Sequence, residues 1–533
     1  MMKHLLIIGI IFLFIGASVV PATCVINENE NVIKNQIQVE SKSRYDANSI
    51  DDYEWPKFHY GLNNSGFSPS PHAPETNNIL WTYTTDDDVC GNSQAIVDGK
   101  VYIGSMDEYL YCLNAFTGDK IWDFYVPGAI SGSPCIVDGK VYVGAVYDYI
   151  YCWDAETGEM IWRFYKGYWG MCSSPAVVDG KVFIGVAGLE IEKIYCLDAA
   201  TGDIIWDYNH SNFSISAPAV VNGKVYIGTG DVANDGIIFC FDADTGGILW
   251  NFTTGWYAVG GPAVVDGKVY SSGNGMHCLD AETGEELWNF PDGNTTVTPA
   301  VAYNRIYFST RPRGDIYCLD AGTGIELWNY TLSDYDICGS SPAIADGKMY
   351  IGVWINGRLL CLDAYTGELI WDYRVAPGYP AHLFSSPAVA YGNVYIGGAF
   401  SNKVYCFGDP SQPETPTIDG PNNGFPGVEY TYKLSTIDPQ GDGIYYYIDW
   451  GDNSNTGWIG PYGSGEEIAV NHTWGESGVF IIKAKAKDTD GYESDWGELQ
   501  VTMPRDKTTN NVLFWRLIGQ FPMLHRLMYL FRI

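Results

Sequence analysis

A chain of 533 residues exceeds what a single hydrophobic core serves, and 46% hydrophobic with 17% charged residues marks a folded, multi-part protein rather than a disordered one. Asp and Glu total 63 against 30 Lys and Arg, a net charge of -33 that opposes docking on phosphate backbones and excludes nucleic acid as the expected partner. The 61 glycines, 15% aromatics and frequent Val, Ile and Tyr favour strands separated by turns over helices.

At the N-terminus, Lys3 precedes an apolar stretch from Leu5 to Val20, and Pro21-Ala22-Thr23 follows. That is the layout of a secretory signal peptide over residues 1–23, so the mature chain is expected to be secreted or at the cell surface. Cys24 stands next to the cleavage site, but Pro21 occupies the place where a lipidation signal usually has Leu, and ordinary cleavage is the favoured reading. Residues 24–50 read as a polar, disordered leader.

From there a motif recurs in seven copies: YCLNAFTGDKIW (111–122), YCWDAETGEMIW (151–162), YCLDAATGDIIW (195–206), FCFDADTGGILW (239–250), HCLDAETGEELW (277–288), YCLDAGTGIELW (317–328) and LCLDAYTGELIW (360–371). With Trp81 of ILWTYTT included, successive tryptophans are 41, 40, 44, 44, 38, 40 and 43 residues apart, which predicts one supersecondary unit per repeat. A second signature precedes each motif, as in SSPAVVDGKVFIG (173–185) and SSPAIADGKMYIG (340–352). Asp-Gly between two β-forming runs favours a two-residue hairpin, because the turn needs positive φ that Gly accepts. Each unit therefore reads as four antiparallel strands, a propeller blade.

The innermost-strand signature occurs eight times, at Ser93, Ser133, Ser174, Ala217, Gly261, Thr298, Ser341 and Ser386. The eighth unit stops at VYCFGD (404–409) without a TG turn or Trp strand, and ILWTYTT (79–85) is an orphan strand of that type. Pairing the two would remove the open edges of the array, so the expected fold is an all-β, eight-bladed propeller closed by its two ends over residues 51–409.

Eight cysteines (Cys112, Cys152, Cys196, Cys240, Cys278, Cys318, Cys361, Cys406) occupy one equivalent repeat position and read as small buried hydrophobes. Cys90, Cys135, Cys172 and Cys338 fall off that position, and a bridge among them stays open.

The recurring DAxTGxxxW motif resembles the PQQ-type repeat propellers, the superfamily shared by quinoprotein alcohol dehydrogenases and BamB-like assembly proteins. The resemblance covers about residues 51–409, with EWPKFHYGLNNSGFSPSP (54–71) similar to the lead-in such propellers carry. It implies that Trp81, Trp122, Trp162, Trp206, Trp250, Trp288, Trp328 and Trp371 dock between neighbouring blades, against the small Ala and turn Gly of the motif. A large side chain at a fixed place in every unit agrees, being worth on the order of 3 kcal/mol or more when buried.

A dehydrogenase of that superfamily would hold its quinone on a Trp floor beneath an adjacent-cysteine disulfide, with a calcium ion and an Asp base. No two cysteines are adjacent, and no motif here matches the calcium ligands or the base. PQQ and calcium are accordingly not expected, and no catalytic, cofactor-binding or metal residue is assigned. HExxH and GxSxG are absent as well. The DGK lysines (Lys100, Lys140, Lys181, Lys268, Lys348) read as solvated hairpin tips, and the motif Asp as a turn-capping hydrogen-bond acceptor.

Recognition is expected in the variable connections that lead into the innermost strands. Tyr168, Trp169, Trp256, Tyr257, Tyr379 and His382 stand there and form the candidate binding rim, suited to a protein segment or a glycan, with local packing the competing reading. Asp86-Asp87-Asp88 reads as a solvated acidic loop rather than a calcium site.

The Pro-rich stretch 408–421 reads as a linker. Residues 410–503 then alternate apolar and polar residues over short strands, a small immunoglobulin-like β-sandwich. DWGD (449–452), the HTW and GVF segments and AKDTDGYESDW resemble a PKD domain, which implies a spacer or adhesive module. Asp438, Asp442 and Asp449 read as turn-stabilising acids in preference to a cation site. The tail 504–533 is dense in apolar residues, but Arg516, Pro522, His525, Arg526 and Arg532 interrupt it. A spanning helix needs about twenty largely uncharged residues, so peripheral contact with a membrane surface, or a sorting tail, fits better than a span. Seven Asn-x-Ser/Thr sequons (Asn63, Asn209, Asn212, Asn251, Asn294, Asn329, Asn471) are available for glycosylation if the export route provides it.

The function these features favour is a non-enzymatic, exported or cell-surface scaffold for protein or glycan recognition at the cell envelope, acting as a monomer. A quinoprotein-like dehydrogenase is the alternative, and a polysaccharide-active extracellular enzyme the third reading.

Overall fold

The computed structural model describes residues 54–504 and Arg516, except 90–92, 131, 148, 168–169, 189–191, 211–213, 232–233, 256–259, 312–313, 333–338, 376–384, 399–400, 410–411, 439–441 and 490. The expected signal peptide, the leader and, Pro504 and Arg516 apart, the C-terminal tail lie outside the described residues.

One repeat shows how the sequence makes the fold. Ala263–Val265, Lys268–Gly273, Gly275–Asp280 and Glu286–Phe290 pair in that order into an antiparallel sheet. The first hairpin turns on Asp266 and Gly267, with φ of 50° and 71°, the pair of positive values that a two-residue turn matching strand twist requires. The second turns at Asp280-Ala-Glu-Thr-Gly284, where the Asp280 carboxylate accepts from Glu282 N, Thr283 N and Thr283 Oγ1 at 2.9, 2.8 and 3.1 Å. The Asp is thus a turn cap.

Among the described residues, eight sheets follow this pattern, here numbered in chain order by their first strands: Ala95–Val97, Cys135–Val137, Ala176–Val178, Ala219–Val221, Ala263–Val265, Ala300–Ala302, Ala343–Ala345 and Ala388–Ala390. Sheets 3 and 4 each gain a short fifth strand, Gly170–Cys172 and Ser214–Ile215. Each first strand lies against the first strand of the following sheet, and Ala388–Ala390 of sheet 8 lies against Ala95–Val97 of sheet 1. Sheet 8 takes its fourth strand from the other end of the repeat region: Ile79–Thr84 pairs antiparallel with Lys403–Phe407, with Trp81 opposite Cys406.

Neighbouring sheets are joined by one repeated arrangement. In seven of the eight sheets the indole of the fourth strand donates through Nε1 to the Ala carbonyl of the next repeat turn, NAFTG at Ala115 and DAxTG elsewhere: Trp81 to Ala115 (2.9 Å), Trp122 to Ala155 (3.3 Å), Trp162 to Ala199 (3.0 Å), Trp206 to Ala243 (3.1 Å), Trp250 to Ala281 (3.1 Å), Trp288 to Ala321 (3.3 Å) and Trp328 to Ala364 (3.1 Å). The indole face lies on the turn glycine; a Cβ on Gly284, whose φ is 73°, would stand 2.6 Å from the Trp250 ring. Glycine is required there twice over, for conformation and for close approach.

The hairpin lysines depart from the solvated tips expected of them. Lys100 bridges to Glu156, Lys181 to Asp244 (2.7 Å) and Lys348 to Glu75 (3.6 Å), in each case to the variable residue of the next turn. Lys224 does the same to Glu282 at 2.5 Å. Where the next turn carries Ala200 or Gly322 in that place, Lys140 and Lys268 meet no acid there. The ten described cysteines, Cys135 and Cys172 among them, are buried free thiols.

Beyond the repeats, Thr417–Asp419, Glu429–Ser435 and Ile468–Thr473 form one sheet. Asn455–Tyr462, Ile444–Asp449, Gly478–Lys487 and Gly497–Met503 form another. They enclose a core of Tyr432, Tyr446, Ile448, Trp450, Trp474, Ile482 and Val501. Asp438 accepts from Asp442 N (3.0 Å) and Asp449 from Gly451 N (2.9 Å), both turn contacts.

Candidate functional site

The six rim candidates, Tyr168, Trp169, Trp256, Tyr257, Tyr379 and His382, all lie outside the described residues. What the structure does define is the axis around which the first strands gather. Those strands are sheet edges, with backbone N–H groups facing inward that need acceptors.

The lead-in supplies them. Carbonyls of Trp55, Pro56, Leu62, Asn63, Ser65 and Gly66 accept from the N–H groups of Ile96, Ile136, Val220, Val264, Val301 and Ile344, each at 2.8 Å. One short segment thereby joins sheets 1, 2, 4, 5, 6 and 7. Its path forces His59, Tyr60 and Asn64 to φ of 58°, 76° and 53°, a sparsely populated region for residues with side chains.

Lys57, His59 and Asn64 are among the buried polar side chains of the lead-in. Lys57 donates from Nζ to Phe58 O and Gly61 O at 3.1 Å and to Asn64 Oδ1 at 2.5 Å, so its ammonium is fully engaged within the segment. Burial pulls its pKa down to about 8. His59 sets Nδ1 2.7 Å from Asn64 O and Nε2 2.8 Å from Pro342 O. Both carbonyls favour the doubly protonated ring, yet burial dominates and holds its pKa at about 4.

Around the lead-in runs a partial ring of hydroxyls, one from each of six of the eight innermost-strand signatures. Ser93 N donates to Ser133 Oγ (2.7 Å), Ser133 N to Ser174 Oγ (2.9 Å), Gly261 N to Thr298 Oγ1 (2.8 Å), Thr298 N to Ser341 Oγ (3.0 Å) and Ser341 N to Ser386 Oγ (3.0 Å). The sequence breaks this ring at Ala217 and Gly261, which carry no hydroxyl. Asn64 enters at that gap, its Nδ2 donating to Ala217 O (3.3 Å) and Pro262 O (3.2 Å).

The seam between the chain ends has its own residues. Pro74 O accepts from Trp371 Nε1 (3.3 Å) and Tyr350 OH (2.9 Å), the position an Ala carbonyl holds at the other boundaries. Asp409 then accepts from Glu75 N (2.6 Å), Thr76 N (2.9 Å) and Thr76 Oγ1 (2.6 Å), reproducing across the seam what Asp280 does within its own turn. Sequence reasoning missed this although a signal was present. APETNNILW (73–81) places Pro74, Glu75, Thr76 and Trp81 at the spacing of Ala, x, Thr and Trp in DAxTGxxxW.

Among the described residues no group of three or more His, Cys, Asp or Glu is placed to hold a metal ion. The buried bore cation Lys57 is saturated by its own segment, and the repeat indoles are committed to Ala carbonyls between sheets.

Repeated four-stranded sheets around an axis filled by the chain's own lead-in define an all-β protein of the PQQ-like propeller class. The chain belongs to the PQQ_2 family, described as outer membrane protein assembly factor BamB, whose family model matches residues 71–192, 148–255 and 234–427. Among solved structures, BamB from Moraxella catarrhalis is 18% identical over 62% of this chain and 99% of that one, with a TM-score of 0.54. A europium-containing methanol dehydrogenase is 13% identical over 70% of this chain and 100% of that one, with a TM-score of 0.57. Likeness at these identities establishes the fold alone. A PKD domain of an M14-like peptidase from Thermoplasmatales archaeon SCGC AB-540-F20 is 50% identical over 18% of this chain and 100% of that one, with a TM-score of 0.18. No curated protein matches the chain.

Proposed function

We propose that this is a non-enzymatic, exported or cell-surface scaffold. Its eight sheets make one closed eight-bladed propeller, and the loops entering the innermost strands recognise protein or glycan. The observation that carries this reading is the bore: the chain's own lead-in takes the inward-facing N–H groups of six first strands. Lys57 and His59, the buried basic groups on the axis, are likewise turned to backbone and side-chain partners of the protein itself. Recognition is then assigned to the rim loops, whose sequence holds Trp169, Trp256 and Tyr379, residue types that pair a flat apolar ring with a polar edge. The C-terminal sandwich, PKD-like in its DWGD segment, serves as a spacer, and export follows from the signal-like N-terminus.

Affinity capture from envelope extracts tests the rim. The expected result is a partner retained by wild-type protein and lost from a Trp169→Ala/Trp256→Ala double variant; identical capture by both would remove the rim from the reading. Reconstitution with PQQ and calcium, followed by dye-linked alcohol oxidation, tests the absence of catalysis. Turnover there would replace the scaffold by a dehydrogenase.

A further inference from the structure

Among the described residues the fourth strand of each repeat sheet ends its pairing order, with no further strand beyond it, and each exposes aliphatic residues beside the interface Trp. Such edges are templates for pairing with other chains unless charge or bulk blocks them. The residue after the Trp supplies that block in several repeats: Asp123, Arg163, Asp207 and Asp372 stand there in sheets 1, 2, 3 and 7. Sheet 4 lacks it. Its edge strand, Ile248–Thr253, reads ILWNFT, with no charge along its length and with Ile248 and Leu249 42% and 49% exposed.

Asn251 occupies the guarding position in that strand. It is exposed, and so is Thr253, which completes the sequon Asn251-Phe252-Thr253. Sheet 6 repeats the arrangement on Glu326–Tyr330, where Asn329 and Thr331 of Asn329-Tyr330-Thr331 are both exposed. In the C-terminal sandwich, Asn471 and Thr473 are exposed on the edge strand Ile468–Thr473. The sequon at Asn63 is different. Asn63 O accepts from Val264 N inside the bore, Asn63 Oδ1 accepts from Ser65 N (3.3 Å), and the neighbouring Asn64 is fully buried. Asn63 is half-buried and tied into the lead-in by these contacts, which makes it a poorer acceptor than the exposed Asn251, Asn329 and Asn471 while the lead-in is seated.

We propose that Asn251, Asn329 and Asn471 are N-glycosylation sites, and that the glycan on Asn251 shields an edge strand that carries no charge of its own. This rests on the export step of the preceding reading. The donor is a lipid-linked oligosaccharide phosphate of the export route. The side-chain amide nitrogen bonds to C1 of the first sugar as the C1–O bond to phosphate breaks; the phosphate keeps the electron pair and the amide proton passes to solvent.

The test is glycopeptide mapping and intact mass of the full chain purified from the surface and medium fractions of its own host, with the mature N-terminus read from the same sample. The expected result is a cleaved N-terminus, sugar on the peptides holding Asn251, Asn329 and Asn471, bare Asn63, and loss of one increment in Asn251→Gln and in Thr253→Ala. Chain found only inside the cell with its N-terminus intact would overturn export and this proposal with it. Exported, cleaved chain bare at all three asparagines, or sugar on Asn63 in folded protein, would overturn the site assignment alone. A second readout addresses the role: Asn251→Gln, which removes the sugar without adding a charge, should raise the aggregated fraction in light scattering several-fold, and Asn251→Asp, which puts a charge there, should lower it again. Equal aggregation of the glycosylated wild type and Asn251→Gln would refute the shielding role.

Discussion

At the scale of single residues, the repeated indole contact looks uniform but is not. Ala281 O accepts from both Trp250 Nε1 and Tyr226 OH, each at 3.1 Å, so removing one donor leaves the other. Ala243 O accepts from Trp206, but the residue equivalent to Tyr226 is Phe183, which has no hydroxyl. Trp250→Phe should therefore cost about 1 kcal/mol, whereas Trp206→Phe leaves a carbonyl without that donor and should cost about 1–3 kcal/mol more. Either Trp→Ala change adds a cavity and should cost about 3–5 kcal/mol. Urea midpoints of the two Phe variants, measured side by side, check the difference.

His59 gives a pH dependence with a definite sign. Burial lowers its pKa from 6.5 to about 4, so between these values the unfolded chain binds a proton that the folded chain refuses. Stability contributed by the neutral ring is present above about pH 6.5 and is lost as pH falls towards 4, by roughly 3 kcal/mol at most. Carboxylates titrate near the lower end of that window, so the comparison needed is with His59→Gln. The variant should be less stable at pH 7 and should lose less between pH 7 and pH 4.5 than the wild type does in urea melts.

At the scale of elements, much was legible in the sequence because the repeat fixes both spacing and turn chemistry. Asp-Gly predicted the first hairpin wherever it occurs, and the DAxTG carboxylate caps its turn at Asp154, Asp198, Asp242, Asp280, Asp320 and Asp363. Sheet 6 shows the limit of that logic. Its hairpin tip is Tyr303-Asn304, with φ of 54° and 57°, a conformation the residue types alone disfavour. Tertiary contacts hold it: the Tyr303 ring packs 5.1 Å from Tyr365, and its hydroxyl accepts from Gly347 N at 2.9 Å. The hairpin lysines were misread for a related reason, since their partners lie in the next sheet: further along the chain for Lys100 and Lys181, and back near the start of the repeat region, at Glu75, for Lys348. The lead-in was legible only as a resemblance, because six carbonyls that meet six different sheets leave no periodic trace in a segment this short.

The seam turn is the element most open to test. Asp409 gathers Glu75 N, Thr76 N and Thr76 Oγ1 although it lies more than three hundred residues away in sequence. Asp409→Ala should release residues 73–84 without unfolding the other sheets. Hydrogen exchange should show protection falling in Ile79–Thr84 and Lys403–Phe407 and holding in sheets 3 to 6; uniform loss everywhere would mean the seam has no independence from the rest.

At the scale of the whole molecule, the N-terminal segment has two separable jobs, and truncation can part them. Residues 54–70 satisfy inward N–H groups on the axis, whereas Ile79–Thr84 covers the edge of Lys403–Phe407. A chain beginning at Pro71 keeps the covering strand together with Pro74 and Glu75 and loses only the axial segment. Its bore should admit water to the freed N–H groups of Ile96, Ile136, Val220, Val264, Val301 and Ile344. Those groups should exchange faster while the protein stays monomeric and folded at a lower melting temperature. A chain beginning at Thr85 also loses the fourth strand of sheet 8, exposing an apolar edge strand and leaving Trp371 Nε1 without its acceptor Pro74 O. Unpaired, flat apolar edges recruit other chains, so this form should elute as oligomers or aggregate. Size exclusion with light scattering on both truncations distinguishes the two jobs. If the second stayed monomeric and as stable as the first, the pairing of Ile79–Thr84 with Lys403–Phe407 would contribute nothing to guarding that edge.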